Sequence, residues 1–338
     1  MKKYLDKFKF IIFNLIIAAL LLGILELLVL HLLNNPSKIP NSFVTSFRDY
    51  YRENDRSTIQ VVPECGKYDP ELFYTLRPGT CTFTNREFSN QFKINKLGVR
   101  DDAQSLEFPQ IITTGDSFTM GWGVENEGSF PKLLEDTYNL NLLNSAVSSY
   151  GTVREMKIIE GLSFDSLQTL IIQYHPNDFI ENEQYSLNNN ELIVSSEEVY
   201  NHTVNEVKDN TSYYFGKFTS QILKHWMKNK VKEEASQATL NEKEAVYFIN
   251  ALSNSNLPLE KISIVVFELT NYNEPSGFIK QLKSEIRKAQ YPEHIKQIEI
   301  IDMSNYLKEE HYYILDNHLN AEGHEVVANT LKKYIKHL

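Results

Sequence analysis

Cysteine is almost missing from this 338-residue chain: Cys65 and Cys81 are the only two. Neither sits in a Cys-x-x-Cys spacing, and no His-Glu-x-x-His pattern occurs, so the usual zinc-binding arrangements are excluded. An excess of positive charge is missing too. Lys and Arg number 34 against 44 Asp and Glu, for a formal net charge of −10, which argues against a nucleic-acid partner, since that duty leaves a basic footprint. No internal repeat is present, so a solenoid or propeller is not indicated. The chain does hold ample apolar residues, 42%, enough for the core of a large α/β domain.

The clearest compositional break is N-terminal. Residues 1–9 carry Lys2, Lys3, Lys7 and Lys9, and from Phe10 to Leu33 the run is apolar apart from Asn14, Glu26 and His31. As a helix that run reaches about 36 Å, enough to cross the ~30 Å hydrocarbon core with some tilt. The lysines ahead of it place residues 1–9 in the cytoplasm as a basic tail and everything after residue 33 outside, the periplasm in a Gram-negative bacterium. No small-x-small cleavage pattern follows Leu33, so the expectation is an uncleaved signal anchor over 10–33. Glu26 is out of place in such a segment. It is expected either to reach toward the outer surface or to meet a membrane partner protein. Outside the cytoplasm Cys65 and Cys81 are expected to pair, a closure worth on the order of 3 kcal/mol.

Residues 34–60 are polar and proline-punctuated at the start, and read as a stalk. Short runs broken by Arg77-Pro78-Gly79 and Asn95-Lys96-Leu97-Gly98 make 61–109 an irregular, β-rich subdomain. From Gln110 the pattern changes to short apolar runs alternating with helix-like segments, which predicts a parallel sheet covered by helices on both faces. The expected strands are 110–114, 141–145, 169–173, 262–267 and 297–301. Phe130, Leu133, Leu134 and Tyr138 recur at helical spacing, as do Val327, Leu331 and Tyr334, with Asn320 a cap for the latter helix. The stretch 183–240 interrupts the alternation and reads as an insertion, either capping the site or packed on the body. It contains an amphipathic segment with Phe215, Phe218, Ile222 and Trp226 on one face.

Three short constellations carry chemistry. Gly115-Asp116-Ser117 follows the first sheet strand, where a glycine turn exposes a hydroxyl at the carboxyl end of a parallel sheet; a turn or helix cap explains such a serine equally well. His175-Pro176-Asn177-Asp178 follows the third strand, and Asn177 there can aim its amide at a developing oxyanion, or simply make a turn. Asp316-Asn317-His318 precedes the last helix. A carboxylate two residues from an imidazole can orient it as the base a serine needs. Alternatively Asp316, His318 and His324 form a metal site, which no other His or Cys cluster supports.

Taken together these blocks make 110–338 resemble the SGNH (GDSL-type) hydrolase superfamily. Gly115-Asp116-Ser117 matches the first block, whose serine is the nucleophile. Asn144-Ser145-Ala146-Val147 matches the second, with alanine where the family usually has glycine. His175-Pro176-Asn177-Asp178 matches the Gly-x-Asn-Asp block with the glycine replaced, and Asp316 and His318 match the last. The resemblance implies a three-layer α/β/α fold without cofactor or metal, a Ser117–His318–Asp316 triad, and an oxyanion hole from the N–H groups of Ser117 and Ala146 with Asn177. It implies hydrolysis or transfer of an O-acyl group through an acyl-enzyme, on acylated carbohydrate or a lipid ester. Two other readings stand beside it: an O-acetyltransferase served by a membrane acyl carrier, and a non-catalytic glycan-binding or envelope scaffold protein. The Asp-x-His pair follows the serine here, the order of the hydrolases rather than of the alginate-type acetyltransferases.

Overall fold

The computed structural model describes residues 2–229, 243–274 and 276–335. Helix α1 (Lys2–Leu33) contains a stretch, Asp6–Leu33, long and apolar enough to cross a membrane, and α2 (Asn41–Asn54) follows it. Two antiparallel hairpins come next. One pairs β1 (Gly66–Asp69) with β2 (Phe73–Leu76), the other β3 (Gly79–Thr84) with β4 (Ser89–Ile94). Cys65, just before β1, is joined to Cys81 on β3, with Cα atoms 5.5 Å apart.

The remainder alternates strand and helix. In chain order it runs β5 (Ile111–Thr114), α3 (Ser117–Met120), α4 (Phe130–Tyr138), β6 (Leu142–Asn144), α5 (Thr152–Ile159) and β7 (Thr169–Tyr174). Then come α6 (Asp178–Leu187), α7 (Glu197–Thr211), α8 (Lys217–Asn229), α9 (Glu244–Ser253) and β8 (Ser263–Glu268). The chain finishes with α10 (Phe278–Glu285), α11 (Glu293–Lys296), β9 (Glu299–Ile301) and α12 (Ala321–Leu331). The five long-range strands form one parallel sheet in the order β6-β5-β7-β8-β9. Because successive strand side chains point to opposite faces, each strand feeds two cores. Ile112, Leu143, Leu170, Ile172, Ile264 and Val266 pack with α5, α9 and α10. Ile111, Leu142, Ile171, Val265, Phe267 and Ile301 pack with α4 and α12 on the other side. The result is the expected three-layer α/β/α sandwich, with strands within a residue or two of the expected bounds.

In the N-terminal third the apolar helix, the β hairpins and the Cys65–Cys81 pair are as expected, and the segment between helix and hairpins differs. Residues 34–60, read as a stalk, contain α2, whose Tyr51 is fully buried in a cluster with Val29, Leu33, Ile39, Phe218 and Leu315. Val44, Phe47 and Tyr51 fall on one face of this helix, and that stripe faces the cluster. The described part of the insertion packs on the N-terminal segments. On α7, Tyr200 packs against Tyr68 and Phe73 and donates its hydroxyl to Gln60 O at 2.8 Å. On α8, Phe218 joins the cluster between α1 and α2. Phe215 lies before α8 rather than on it, Ile222 is exposed, and the side chain of Trp226, like residues 230–242, lies outside the described residues.

Glu26 is fully buried against the start of α8 and does not reach for water. Its carboxylate accepts from Phe218 N at 3.2 Å, Thr219 N at 2.8 Å and Thr219 Oγ1 at 2.7 Å, so an acid caps the otherwise orphaned amides that open a helix. Next to it, Lys217 Nζ donates to Asp55 Oδ1 at 2.7 Å, both side chains being buried, and Arg86 reaches the other oxygen at 2.7 Å. Removing one member of such a pair strands the other charge. Asp55→Ala is therefore expected to lower stability by about 3–5 kcal/mol, and Lys217→Met added to it to recover much of the loss. Urea titration in detergent measures both; an Asp55→Ala protein as stable as wild type would exclude the pair as a docking element.

Candidate active site

The serine turn is built at the carboxyl end of β5. Gly115 has φ +153°, and a Cβ there would lie 2.5 Å from both Gln173 Oε1 and Thr119 Oγ1. Only glycine tolerates that conformation and that proximity. Asp116 caps the short α3, accepting from Phe118 N at 3.0 Å, and Gly121 ends it at φ +84°. Gln173 on β7 braces the turn from the neighbouring strand, its Oε1 accepting from Asp116 N at 3.1 Å and Thr119 Oγ1 at 3.0 Å. Ser117 is thereby presented above the sheet, nearly buried.

Opposite it, the chain before α12 folds into a tight loop closed by the Tyr312–Leu319 bridge and by Tyr313 N donating to His318 O at 2.9 Å. Asn317 adopts φ +61° at its tip, a conformation asparagine accepts more readily than most residues. The turn brings Asp316 and His318 side by side. His318 Nε2 lies 2.8 Å from Ser117 Oγ, and His318 Nδ1 lies 2.5 Å from Asp316 Oδ1. Phe118 and Trp122 flank the imidazole, with ring centroids 4.6 and 4.9 Å away. The three residues expected as a triad are thus in hydrogen-bonded series.

Three residues that sequence reasoning did not single out complete this arrangement. Trp122 Nε1 donates to Asp316 Oδ1 at 2.9 Å and Tyr51 OH to Oδ2 at 3.1 Å. Glu87, between β3 and β4, accepts from the successive amides of Ile314, Leu315 and Asp316 at 2.8, 2.8 and 2.7 Å. Burial alone would push the Asp316 carboxyl up. The adjacent His318, Arg56 and the Tyr51 hydroxyl outweigh it and hold the group below the usual carboxylate range.

The expected oxyanion donors are less uniform. Ser117 N–H stands at the first turn of α3. Ala146 is buried, and its N–H points to Asn144 Oδ1 at 3.2 Å, while Asn144 Nδ2 donates to Thr119 O at 3.1 Å, tying this strand end to the serine turn. Ala146 N–H is therefore shared with its own neighbour. Asn177 is exposed, its Oδ1 lies 2.5 Å from His175 Nδ1, and among the described residues its Nδ2 has no protein partner. His175, standing where the family pattern has glycine, stacks on Phe118 with centroids 5.7 Å apart and lies 3.9 Å from Asp116 Oδ2. It braces Asn177 against the serine turn. Asp178 turns inward instead, accepting from Thr152 Oγ1 at 3.2 Å, and burial followed by the Asp116 charge pushes its carboxyl well up.

His324, a candidate ligand in the metal alternative, is spent on packing. Its Nδ1 accepts from Phe130 N at 3.3 Å, its ring stacks on Phe130, and burial pulls its pKa down to about 3.

No family model matches the chain, and no curated protein does. Several solved structures are similar to it. A protein assigned to the G-D-S-L lipolytic family from Desulfitobacterium hafniense DCB-2 is 15% identical with a TM-score of 0.37, over 67% of this chain and 98% of that one. A protein assigned as a GDSL-like lipase from Bacteroides ovatus ATCC 8483 is 11% identical with a TM-score of 0.40, over 68% of this chain. The chain spans about half the length of that protein, 53%. A carbohydrate esterase family 2 enzyme with a carbohydrate-binding domain, from Corynascus thermopiles (Myceliophthora fergusii), is 12% identical with a TM-score of 0.34, over 68% of this chain and 67% of that one. Identities and TM-scores this low leave the functional reading to the side chains themselves.

The Gly115 turn offers a direct check on how the serine is held. Gly115→Ala is expected to cost about 1–3 kcal/mol, because the new methyl forces both a strained φ and displacement of Gln173 or Thr119. A thermal midpoint equal to wild type would show that the turn relaxes freely.

Proposed function

We propose that this chain is a membrane-anchored, extracytoplasmic serine ester hydrolase of the SGNH type, and that Ser117, His318 and Asp316 are its triad. The observation that carries the reading is the unbroken series Ser117 Oγ–His318 Nε2–His318 Nδ1–Asp316 Oδ1, at 2.8 and 2.5 Å, on a turn at the carboxyl end of a parallel sheet.

The chemistry follows from those contacts. His318 Nε2 takes the proton of Ser117 as Oγ bonds to the carbonyl carbon of an ester, and the carbonyl π electrons move to oxygen. Asp316 holds Nδ1 protonated, so that Nε2 is the free base, and its charge balances the imidazolium that forms. The oxyanion is met by the N–H of Ser117 and by Asn177 Nδ2, with Ala146 N–H joining once Asn144 Oδ1 gives it up. Collapse breaks the bond to the leaving oxygen, which takes the proton from His318 and departs as an alcohol. Water, deprotonated by the same imidazole, then releases the acid. A sugar hydroxyl in place of water would make the reaction a transfer.

The substrate class is an O-acyl group on a cell-surface carbohydrate or a lipid ester. Support comes from the cluster in which Leu315, next to Asp316, packs with Val29 and Leu33 at the end of α1. An anchor that close to the triad presents the site to molecules at the membrane surface. A non-catalytic scaffold would have no need of a buried carboxylate held low beside an imidazole.

Turnover of p-nitrophenyl acetate, butyrate and octanoate, with and without an oligosaccharide acceptor, tests the reading. Ser117→Ala should abolish activity. Asn177→Ala should lower kcat about 10²–10³-fold with KM little changed and the fold intact, as expected for a donor used mainly in the transition state. A folded Asn177→Ala protein with wild-type kcat removes Asn177 from the hole, and a Ser117→Ala protein of full activity overturns the proposal.

A further inference from the structure

The corner between α7 and α8 carries three successive aromatic side chains. Tyr213, Tyr214 and Phe215 are 45%, 53% and 69% exposed. Soluble surfaces seldom leave so much contiguous apolar area open unless something covers it. Their position along α1 says what does. A Cβ on Gly23 would sit 3.6 Å from the Phe215 ring, so Phe215 lies against the middle of the apolar run. One turn on, Glu26 receives the amides of Phe218 and Thr219.

The outer end of the run is marked by polar groups. Lys38 Nζ stands 3.5 Å from His31 Nε2, and Asn34 Oδ1 accepts from Arg86 at 2.5 Å. Measured from His31 at the helical rise, Glu26 lies about 7 Å and Gly23 about 12 Å toward the cytoplasmic end. On the same length of α1, Leu20, Leu21, Ile24, Leu27 and Leu28 are also exposed. The aromatic corner and the open flank of α1 are therefore continuous.

We propose that this corner, Ser212–Gly216, is embedded in the outer leaflet of the bilayer beside α1. The lipid is its partner. The proposal rests on the reading of α1 as a membrane anchor and goes beyond it, since an anchor alone leaves the insertion in water. Two features fit hydrocarbon. Part of the corner's backbone is already paired, Ser212 N donating to Lys208 O at 3.1 Å, Tyr214 O accepting from Lys217 N at 3.0 Å and Gly216 O from Ser220 N at 2.9 Å, which lowers the cost of placing it at that depth. Glu26, costly in a bilayer, is sealed by the α8 amides and the Thr219 hydroxyl rather than left to lipid. Tyrosines beside a phenylalanine also match the composition of membrane interfaces. The consequence is a two-point attachment, α1 and the corner, which fixes the height and tilt of the triad over the membrane.

The full chain in vesicles of phosphatidylethanolamine and phosphatidylglycerol provides the test. Nitroxide labels are placed singly through Phe215→Cys, Leu21→Cys or Glu198→Cys, all exposed positions, with the Cys65–Cys81 pair left in place. Relaxation by oxygen, which partitions into lipid, is compared with relaxation by a water-soluble nickel chelate. The expected oxygen-to-nickel ratio at 215 matches that at 21 and exceeds that at 198 several-fold. If 21 is lipid-exposed and 215 resembles 198, the corner lies in water and the inference is overturned while the anchor stands. If 21 also resembles 198, the anchor reading falls and takes this inference with it.

Discussion

A buried carboxylate held in its charged form by partners from distant segments is the constraint around which the molecule is organised. Asp316 is buried, and an ion without partners there would be untenable. Its oxygens are met by His318, Trp122 and Tyr51, and the backbone that carries it is cradled by Glu87. Those groups come from the last loop, the serine turn, α2 and the second hairpin, four segments far apart in the chain. Satisfying one carboxylate thus requires the N-terminal segments to fold back onto the sandwich. The hairpins are part of the site's wall: Phe83, Phe88 and Phe92 pack with Met120, Trp122 and Ala146 in one cluster.

The same logic extends outward to α1. Tyr51 donates to Asp316 from a helix whose apolar stripe meets Leu33 and Phe218, and α8 is held to the residue that ends α2 by Lys217–Asp55 and to α1 by Glu26. Each buried charge along this path is paired or capped, which is the condition for keeping charges inside at all. The path makes α1, α2, α8 and the Ser117–His318–Asp316 series one packed unit.

How much of this was legible in the sequence follows from the range of the interactions. The sheet was readable because strands covered on both faces appear as short unbroken apolar runs, such as Ile111-Ile112 and Leu170-Ile171-Ile172, between helical periods. The meeting of Ser117, His318 and Asp316 was readable because a serine, an imidazole and a carboxylate each stand beside a short turn signal in the sequence. Tyr51, Trp122 and Glu87 were not, since each acts on a group between 194 and 265 positions away and no local pattern announces such a partner. The helix containing Tyr51 reads as a stalk in sequence because its charged and polar residues outweigh the Val44–Phe47–Tyr51 stripe. Glu26 looked anomalous because its partner is the start of a helix nearly two hundred residues later. At His175, where the resembling pattern has glycine, the structure shows a ring stacked on Phe118 and bonded toward Asn177, which sequence spacing cannot reveal.

The central claim is that Ser117 is made nucleophilic by His318. Reaction of the full chain in detergent with a fluorophosphonate, followed by peptide mass mapping, measures this without knowledge of the natural substrate. A single adduct on Ser117 is expected in wild type, with its formation largely lost in a folded His318→Ala protein. An unlabelled Ser117, an adduct on some other serine, or labelling undiminished by His318→Ala would contradict it.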